Sequence, residues 1–481
     1  MDGAAADIPT PTHGPSGPSP EHEAGDAPEV LARRAFDALR GVRAAPDLEE
    51  RRGHLRALRR EVLVAAEEIA AAVHADFGGR PRQETMLAEV ALTLSNVDWT
   101  LRRLRGWMRP RRVALPMEHL GASGRVERVP LGVVGVLSPW NYPVQLALLP
   151  VVAALAGGNR VLLRPSEFTP RTSALLAGLV GRALPADRAQ VLLGGAEVAR
   201  AVTELPLDGL FFTGSTATGR RVLAAAAANL TPTTLELGGK SPAILLPDAG
   251  LPDAAASIMA GKLFSAGQTC IAPDYLLAPR AMLPEVTAAL AAATRRMYPD
   301  PDGPGYAAIA RPQDRLRLAT LLEGQRAVPL MDPPPAAPKF GAVAVLDPDP
   351  EAALMRDEIF GPILPVVPYD DLAEAEAFVN ARPCPLALYV YGRDRRACEG
   401  VVARVRSGGA MINDCLLHVA AHALPFGGAG ESGMGAYHGE EGFRTFTRPR
   451  SVMAQSRFAP ALLARPPYGA AVDRLLRFLL R

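Results

Sequence analysis

A chain of 481 residues with 52 basic and 50 acidic side chains carries a net charge of only +2. That balance excludes the one-signed field by which a protein grips nucleic acid or another polyanion, and favours small-molecule chemistry. With 48% hydrophobic and 21% charged residues, the composition supports a sizeable packed core, and the length predicts two or three packed units.

Residues 1–28 are rich in Ala, Gly, Pro and acidic residues without a hydrophobic run, and read as a disordered leader, not a secretory signal. From Glu29 to Met108 the Ala-, Leu-, Arg- and Glu-rich pattern predicts helices. Two strands are expected between Val113 and Val129, around a turn at Gly121–Gly124. The period then changes. Gly132–Leu137 reads as a buried parallel strand, and the break Pro139-Trp-Asn-Tyr-Pro143 follows. The apolar run Leu146–Gly157 is too short to span a membrane and is expected as a buried helix. Strands at Arg160–Leu163, Gln190–Leu193 and Gly209–Phe212 alternate with helices at Arg171–Leu184 and Thr216–Asn229. Such alternation predicts a parallel sheet covered on both faces. A second alternating region runs from about Pro242 to Gly409 and contains a Pro/Ala loop at 333–338. The expected fold class is therefore α/β, with two open-sheet units joined near residue 240. The basic amphipathic end, Arg474–Arg481, is expected to pack on its own domain or a partner subunit, with a membrane surface as the alternative.

Four cysteines, Cys270, Cys384, Cys398 and Cys415, are too few for a disulfide framework. None sits at zinc-like spacing with another Cys or His, so no metal site is expected, and a reducing cytoplasmic setting fits. The last three read as buried small hydrophobes.

Several segments could carry chemistry. Thr213-Gly-Ser-Thr-Ala-Thr-Gly219 turns from strand to helix, where backbone N–H groups and the helix dipole favour a phosphate. Gly214 and Gly219 allow the tight turn and close packing, and Ser215 can donate to a phosphate oxygen; a simple capped helix is the alternative. Arg164-Pro-Ser-Glu167 ends another strand, where Glu167 can take ribose hydroxyls or belong to an ordinary loop. Cys270, in Gly267-Gln-Thr-Cys270, is a nucleophile candidate, with a buried thiol as the alternative. Glu236, in Leu235-Glu-Leu-Gly-Gly-Lys-Ser-Pro242, is a candidate general base.

Taken in order, Pro139–Pro143, Arg164–Glu167, Phe212–Thr216, Glu236–Lys240, Gly267–Cys270, Glu358-Ile-Phe-Gly-Pro362 and Pro425-Phe-Gly-Gly428 resemble the motif series of the aldehyde dehydrogenase superfamily over roughly residues 30–460. Asp76-Phe-Gly-Gly-Arg80 with Glu84-Thr85, Ile271–Tyr275, Asn413–His418 and Ser432–Gly439 are similar to class 3, and within it to the bacterial coniferyl aldehyde dehydrogenases.

The resemblance implies two Rossmann-like α/β domains, one for the cofactor (29–112 and 130–238) and one catalytic (239–410). A small β oligomerisation arm (113–129 and 445–457) and a tail (458–481) complete it, in a homodimer. It implies that Cys270 attacks an aldehyde to give a thiohemiacetal, that Asn141 and the Cys270 backbone N–H hold the oxyanion, and that Glu236 activates water to hydrolyse the thioester. It assigns Trp140, Arg164, Ser166, Glu167, Gly214, Ser215, Gly219, Leu237, Glu358 and Phe360 to the cofactor, and Tyr142 and Phe426 to the substrate. Lys240 is expected near Glu236; His422 and His438 are expected on the surface or in packing. The cofactor implied is NAD. Arg164 replaces the family's Lys and leaves NADP open, because its planar fork differs from an ammonium. The segment from Glu323 to Arg356 is Pro-rich and shorter than in the family, which predicts altered surface loops with intact chemistry. The implied substrate is an aromatic or cinnamyl aldehyde such as coniferyl aldehyde, or a medium-chain aliphatic one. Acyl transfer to coenzyme A, a semialdehyde-type reaction and a non-enzymatic role are the rival readings; the first is disfavoured by Glu236.

Overall fold

A computed structural model describes residues 26–41, 44–116, 119, 121–456 and 465–480. The expected leader lies outside the described residues as far as residue 25.

The first helix, Pro28–Arg40, buries Ala32, Ala35, Phe36 and Leu39, a spacing that places all four on one face. Helices Leu48–Val64, Ala66–Phe77 and Leu92–Trp107 follow, as the composition of 29–108 predicts. Asp47 starts the helix Leu48–Val64 by accepting the Glu50 N–H at 2.9 Å, which satisfies one of the helix's orphan donors.

The strands, in chain order, are β1 (Arg111–Val113), β2 (Ser123–Pro130), β3 (Val133–Leu137), β4 (Arg160–Arg164), β5 (Ala189–Val191), β6 (Gly209–Gly214), β7 (Thr233–Leu237), β8 (Pro242–Leu245), β9 (Tyr275–Pro279), β10 (Ala327–Pro329), β11 (Val343–Leu346), β12 (Ile363–Tyr369), β13 (Ala387–Tyr391), β14 (Gly409–Ile412), β15 (Gly433–Met434) and β16 (Thr447–Ala454). They form three sheets. One has the order β15-β7-β6-β3-β4-β5, the second β10-β11-β12-β9-β8-β13-β14, and the third β1-β2-β16.

The first sheet is parallel except where β15 runs against β7. Its strands β3, β4 and β5 advance to one side, while β6 and β7 return to the other side of β3. A ligand crevice is expected where the order reverses, at the carboxyl ends of β3 and β6. All five residues of β3 are buried, because helices cover both faces. The helix Gln145–Gly157 is buried almost all round, as its unbroken apolar sequence predicts, and ends at Gly158 with φ +88°, the left-handed conformation that glycine adopts without a Cβ penalty.

The second sheet is parallel apart from the pairing of β10 with β11. Two of its strands come from the segment expected to hold only altered surface loops. Leu330, Met331, Ala344 and Val345 are buried there, so apolar residues between the prolines make β10 and β11 a structural edge of the sheet. In the third sheet β16 lies along the whole of β2, from Thr447 opposite Pro130 to Ala454 opposite Ser123.

The C-terminal residues 470–479 form a helix whose described side chains are largely exposed. Among the described residues, no helix is long and apolar enough to cross a membrane.

Candidate active site

Only four residues, Gly238–Ser241, separate β7 from β8, so the first sheet passes into the second at Glu236. A cavity of about 980 Å³ opens at that junction. Asn141, Glu236 and Cys270 all line it. From the first sheet, Trp140, Arg164, Ser166 and Glu167 contribute one wall. Gly214, Ser215 and Leu237 contribute another, and Glu358 and Phe360 reach in from the second unit. Gly219 lies outside the lining; a Cβ there would meet Leu237 Cδ2 at 2.6 Å, so its role is close packing of the helix Thr216–Ala227 on β7.

Glu236 is 3% exposed. Neither of its carboxyl oxygens has a hydrogen-bond partner within the protein, and burial alone pushes its pKa well above the usual carboxylate range. An unsatisfied buried carboxyl of this kind is costly and marks a site waiting for a proton or a ligand. Burial also pushes the Cys270 thiol up, with the carboxyls of Glu358 and Glu236 adding to the effect. Burial therefore favours the neutral form of both groups.

The Cys270 loop is held from several directions. Gly267 has φ +77°, and a Cβ there would lie 2.4 Å from the Gly361 carbonyl oxygen; only glycine fits. Gln268 donates through Nε2 to the carbonyls of Ser265 and Ala308, both at 2.9 Å, and its Oε1 accepts the Ala310 N–H. Asn141 donates through Nδ2 to the Gln268 carbonyl at 3.1 Å. That bond orients the amide beside Cys270, and its second N–H remains for another acceptor.

Glu358 is pushed up to about 8, chiefly by burial and next by Asp274, against the opposing effect of Lys240 and Lys262. Its Oε1 has no partner. Phe360, at φ +49°, meets the ring of Trp140 edge-on at 5.5 Å between centroids. Lys240, expected near Glu236, makes no hydrogen bond to it. Its ammonium binds the Asp274 carboxylate and the carbonyls of Leu354 and Asp357. Asp274 in turn accepts the Ile359 N–H at 3.2 Å, and Lys262, fully buried, stands 3.8 Å from its other face.

Arg164 is nearly buried and is spoken for. Its Nη2 donates to the carbonyls of Gly194 and Gly195 at 2.7 and 2.8 Å and pairs with Glu167 at 2.8 Å. Ser215 caps the helix Thr216–Ala227 by accepting the Thr218 N–H at 3.3 Å, so the helix N-terminus faces the cavity with its dipole.

Two residues assigned to the substrate are not part of the lining of the large cavity. Tyr142 shares a 2.6 Å hydrogen bond with Thr269, and Phe426 packs against Tyr437 and His438. His422 and His438 are both buried, which makes them packing residues, not surface ones. Arg311, over the rings of Phe168 and Trp140, lines the cavity with Asp314 and Arg317. Nothing in their local sequence marks them. They follow a loop 41 residues after Cys270 that only the tertiary fold returns to the site.

Residues 21–452 match the aldehyde dehydrogenase family. The chain belongs to that family. It is an oxidoreductase acting on aldehydes. It is 42% identical over 437 residues to a probable coniferyl aldehyde dehydrogenase of Pseudomonas aeruginosa, a match spanning 90% of this chain and 92% of the relative. The substrate-bound AldH of Staphylococcus aureus superposes with a TM-score of 0.86 at 32% identity, covering 94% of this chain and 98% of that one. The Mycobacterium tuberculosis aldehyde dehydrogenase, solved with NAD+, superposes with a TM-score of 0.79 at 28% identity, over 88% of this chain and 90% of that one. The resemblance seen in the ordered motifs therefore holds for the whole fold.

Proposed function

We propose that this dehydrogenase oxidises an aromatic or cinnamyl aldehyde to its carboxylic acid, with NAD+ as acceptor and water as the final nucleophile. The observation that carries the reading is the unpartnered Glu236 carboxyl, buried in the same cavity as the Cys270 thiol.

Ionised Glu236, in the same cavity, takes the S–H proton of Cys270 as the sulfur adds to the aldehyde carbon, giving a thiohemiacetal oxyanion. The free N–H of Asn141 Nδ2 and the Cys270 backbone N–H stabilise that charge; one such donor is worth about 3 kcal/mol of barrier. When bound, NAD+ supplies the acceptor for the hydride that leaves the carbon, and a thioester on Cys270 remains. Glu236, once ionised, takes a proton from water as its oxygen attacks the thioester carbon. The C–S bond breaks, the departing sulfur takes back the proton held by Glu236, and the acid leaves.

The residues present fit a dinucleotide. The N-terminus of the helix Thr216–Ala227 and Ser215 suit the pyrophosphate, Glu167 suits the adenosine ribose, and the orphaned oxygen of Glu358 suits the nicotinamide ribose. Arg164 is neutralised by Glu167 and occupied by two carbonyls. It therefore offers little to a 2′-phosphate, which Glu167 would also repel; this favours NAD over NADP. The cinnamyl preference rests on the names of the relatives. The units 29–112 with 130–238 for cofactor and 239–410 for catalysis, the arm 113–129 with 445–457 in a homodimer, and a cytoplasmic setting complete the reading.

The test is NADH release over a panel of cinnamyl, benzylic and medium-chain aliphatic aldehydes, with Cys270→Ala as the blank. Free acid formed without coenzyme A, fastest from coniferyl aldehyde, supports the proposal. Strict dependence on coenzyme A defeats the hydrolytic step, and an aliphatic optimum defeats the substrate class.

A further inference from the structure

A second group of buried charges touches both segments of the site. Arg80 and Glu89 are 0% exposed and Glu84 is 7% exposed. Arg80 Nη1 donates to Glu89 Oε1 at 3.0 Å and to the backbone carbonyl of Asn141 at 2.9 Å. The other oxygen of Glu89 accepts the N–H groups of Val144 and Gln145 at 2.7 and 3.0 Å. Glu89 thus holds the far end of the segment whose near end Arg80 holds. The Arg80 guanidinium also lies 4.4 Å over the ring of Tyr142, whose hydroxyl binds Thr269 beside the cysteine.

The cysteine loop is reached by the same group. Glu84 Oε2 accepts the Ser265 N–H at 3.0 Å and lies 4.0 Å from Arg80 Nε. Ser265 sits at φ +52°, and its carbonyl takes the Gln268 amide. The backbone beside Arg80 joins in as well: the Gly79 carbonyl accepts the Ala308 N–H at 2.9 Å, and Ala308 anchors the same Gln268 side chain. Glu89 comes from Met86–Ala91, a π-helical stretch of the sort found inside helices at functional sites.

We infer that Arg80, with Glu84 and Glu89, is a positioning residue that holds the Asn141 segment and the Cys270 loop in register, so that both oxyanion donors meet one oxygen. The inference rests on the proposed roles of Asn141 and Cys270. Arg80 itself touches neither the thiol nor the reacting carbon. Its action is geometric, and a displacement of about 1 Å at such a site can cost about 100-fold in rate.

A double-mutant cycle on kcat tests it, using Arg80→Lys, Asn141→Ala and the pair. Arg80→Lys keeps the charge but not the planar guanidinium whose Nη1 is placed between Glu89 and the Asn141 carbonyl. In the otherwise native enzyme it is expected to lower kcat at least tenfold while KM for NAD+ stays within twofold. In the Asn141→Ala background it is expected to cost less than twofold, since the donor it positions is gone. Equal losses in both backgrounds, or a loss confined to melting temperature, overturn the inference and leave the reading of Asn141 intact. If Asn141→Ala leaves kcat unchanged, the reading of Asn141 falls and the inference falls with it. Should Arg80→Lys not fold, Glu89→Gln, which releases the same segment at Val144, enters the same cycle with the same expected outcome.

Discussion

A Cβ on Gly238 would stand 2.0 Å from Glu358 Oε2, so the loop that leaves the Glu236 strand and the loop that carries Glu358 meet only because residue 238 has no side chain. This contact places the end of the Glu236 strand directly against the Glu358 carboxyl.

Gly238→Ala is therefore expected to displace Glu358 and weaken NAD+ binding, lowering kcat/KM for NAD+ about 10- to 100-fold. Steady-state kinetics at saturating aldehyde read this directly. An unchanged kcat/KM would mean that Glu358 does not hold the cofactor.

Cofactor affinity should depend on pH through the same residue. Burial first, and Asp274 second, raise Glu358 to about 8, so the group is mostly neutral at pH 7 and ionises as pH rises. A carboxylate accepts ribose hydroxyls better than a carboxylic acid does. The Kd for NAD+ is thus expected to fall between pH 7 and pH 9, by at most about tenfold per pH unit for one linked proton. Isothermal titration across that range checks it, and Glu358→Gln should flatten the profile.

Deacylation should also gain rate with pH. Burial holds Glu236 protonated above the usual carboxylate range, and only its ionised form can take a proton from water. The rate of thioester hydrolysis is expected to climb through neutral pH, well above the point where an exposed carboxyl would have ionised. Glu236→Gln should remove that rise and slow turnover about 100- to 10,000-fold, with acyl-enzyme accumulating on Cys270 in intact-mass spectra. If the rise survives the substitution, it belongs to another base or to hydroxide, because the Cys270 sulfur is acylated during this step.

Stability rests on the sheet beneath the site. Phe211 is fully buried in β6, with Tyr437 at 5.0 Å and Phe446 at 5.9 Å between ring centroids. Phe211→Ala is expected to cost about 3–5 kcal/mol, read as an earlier midpoint in urea unfolding.

Much of this molecule is legible along the chain. β3, β4 and β6 and the helix Gln145–Gly157 stand where hydrophobic period and Gly/Pro breaks place them, since these signals are local. The segment 323–356 shows the limit: proline density suggested loops, while Leu330 and Val345 are core residues of an edge strand pair. Lys240 shows another limit, because closeness to Glu236 along the chain does not reveal that its ammonium is engaged by Asp274, 34 residues away.

By itself, the sequence determined the order of the elements, because periodicity is a property of neighbours along a chain, while its likeness to the aldehyde dehydrogenase motifs singled out Cys270, Glu236, Asn141 and Glu358 as candidates. Only the tertiary structure decided which of them share a cavity, that both Glu236 oxygens lack partners, and that Arg80 reaches Asn141 across 61 residues. Burial and long-range contact set those properties: the cost of a charge or an unmade hydrogen bond depends on what surrounds it in space.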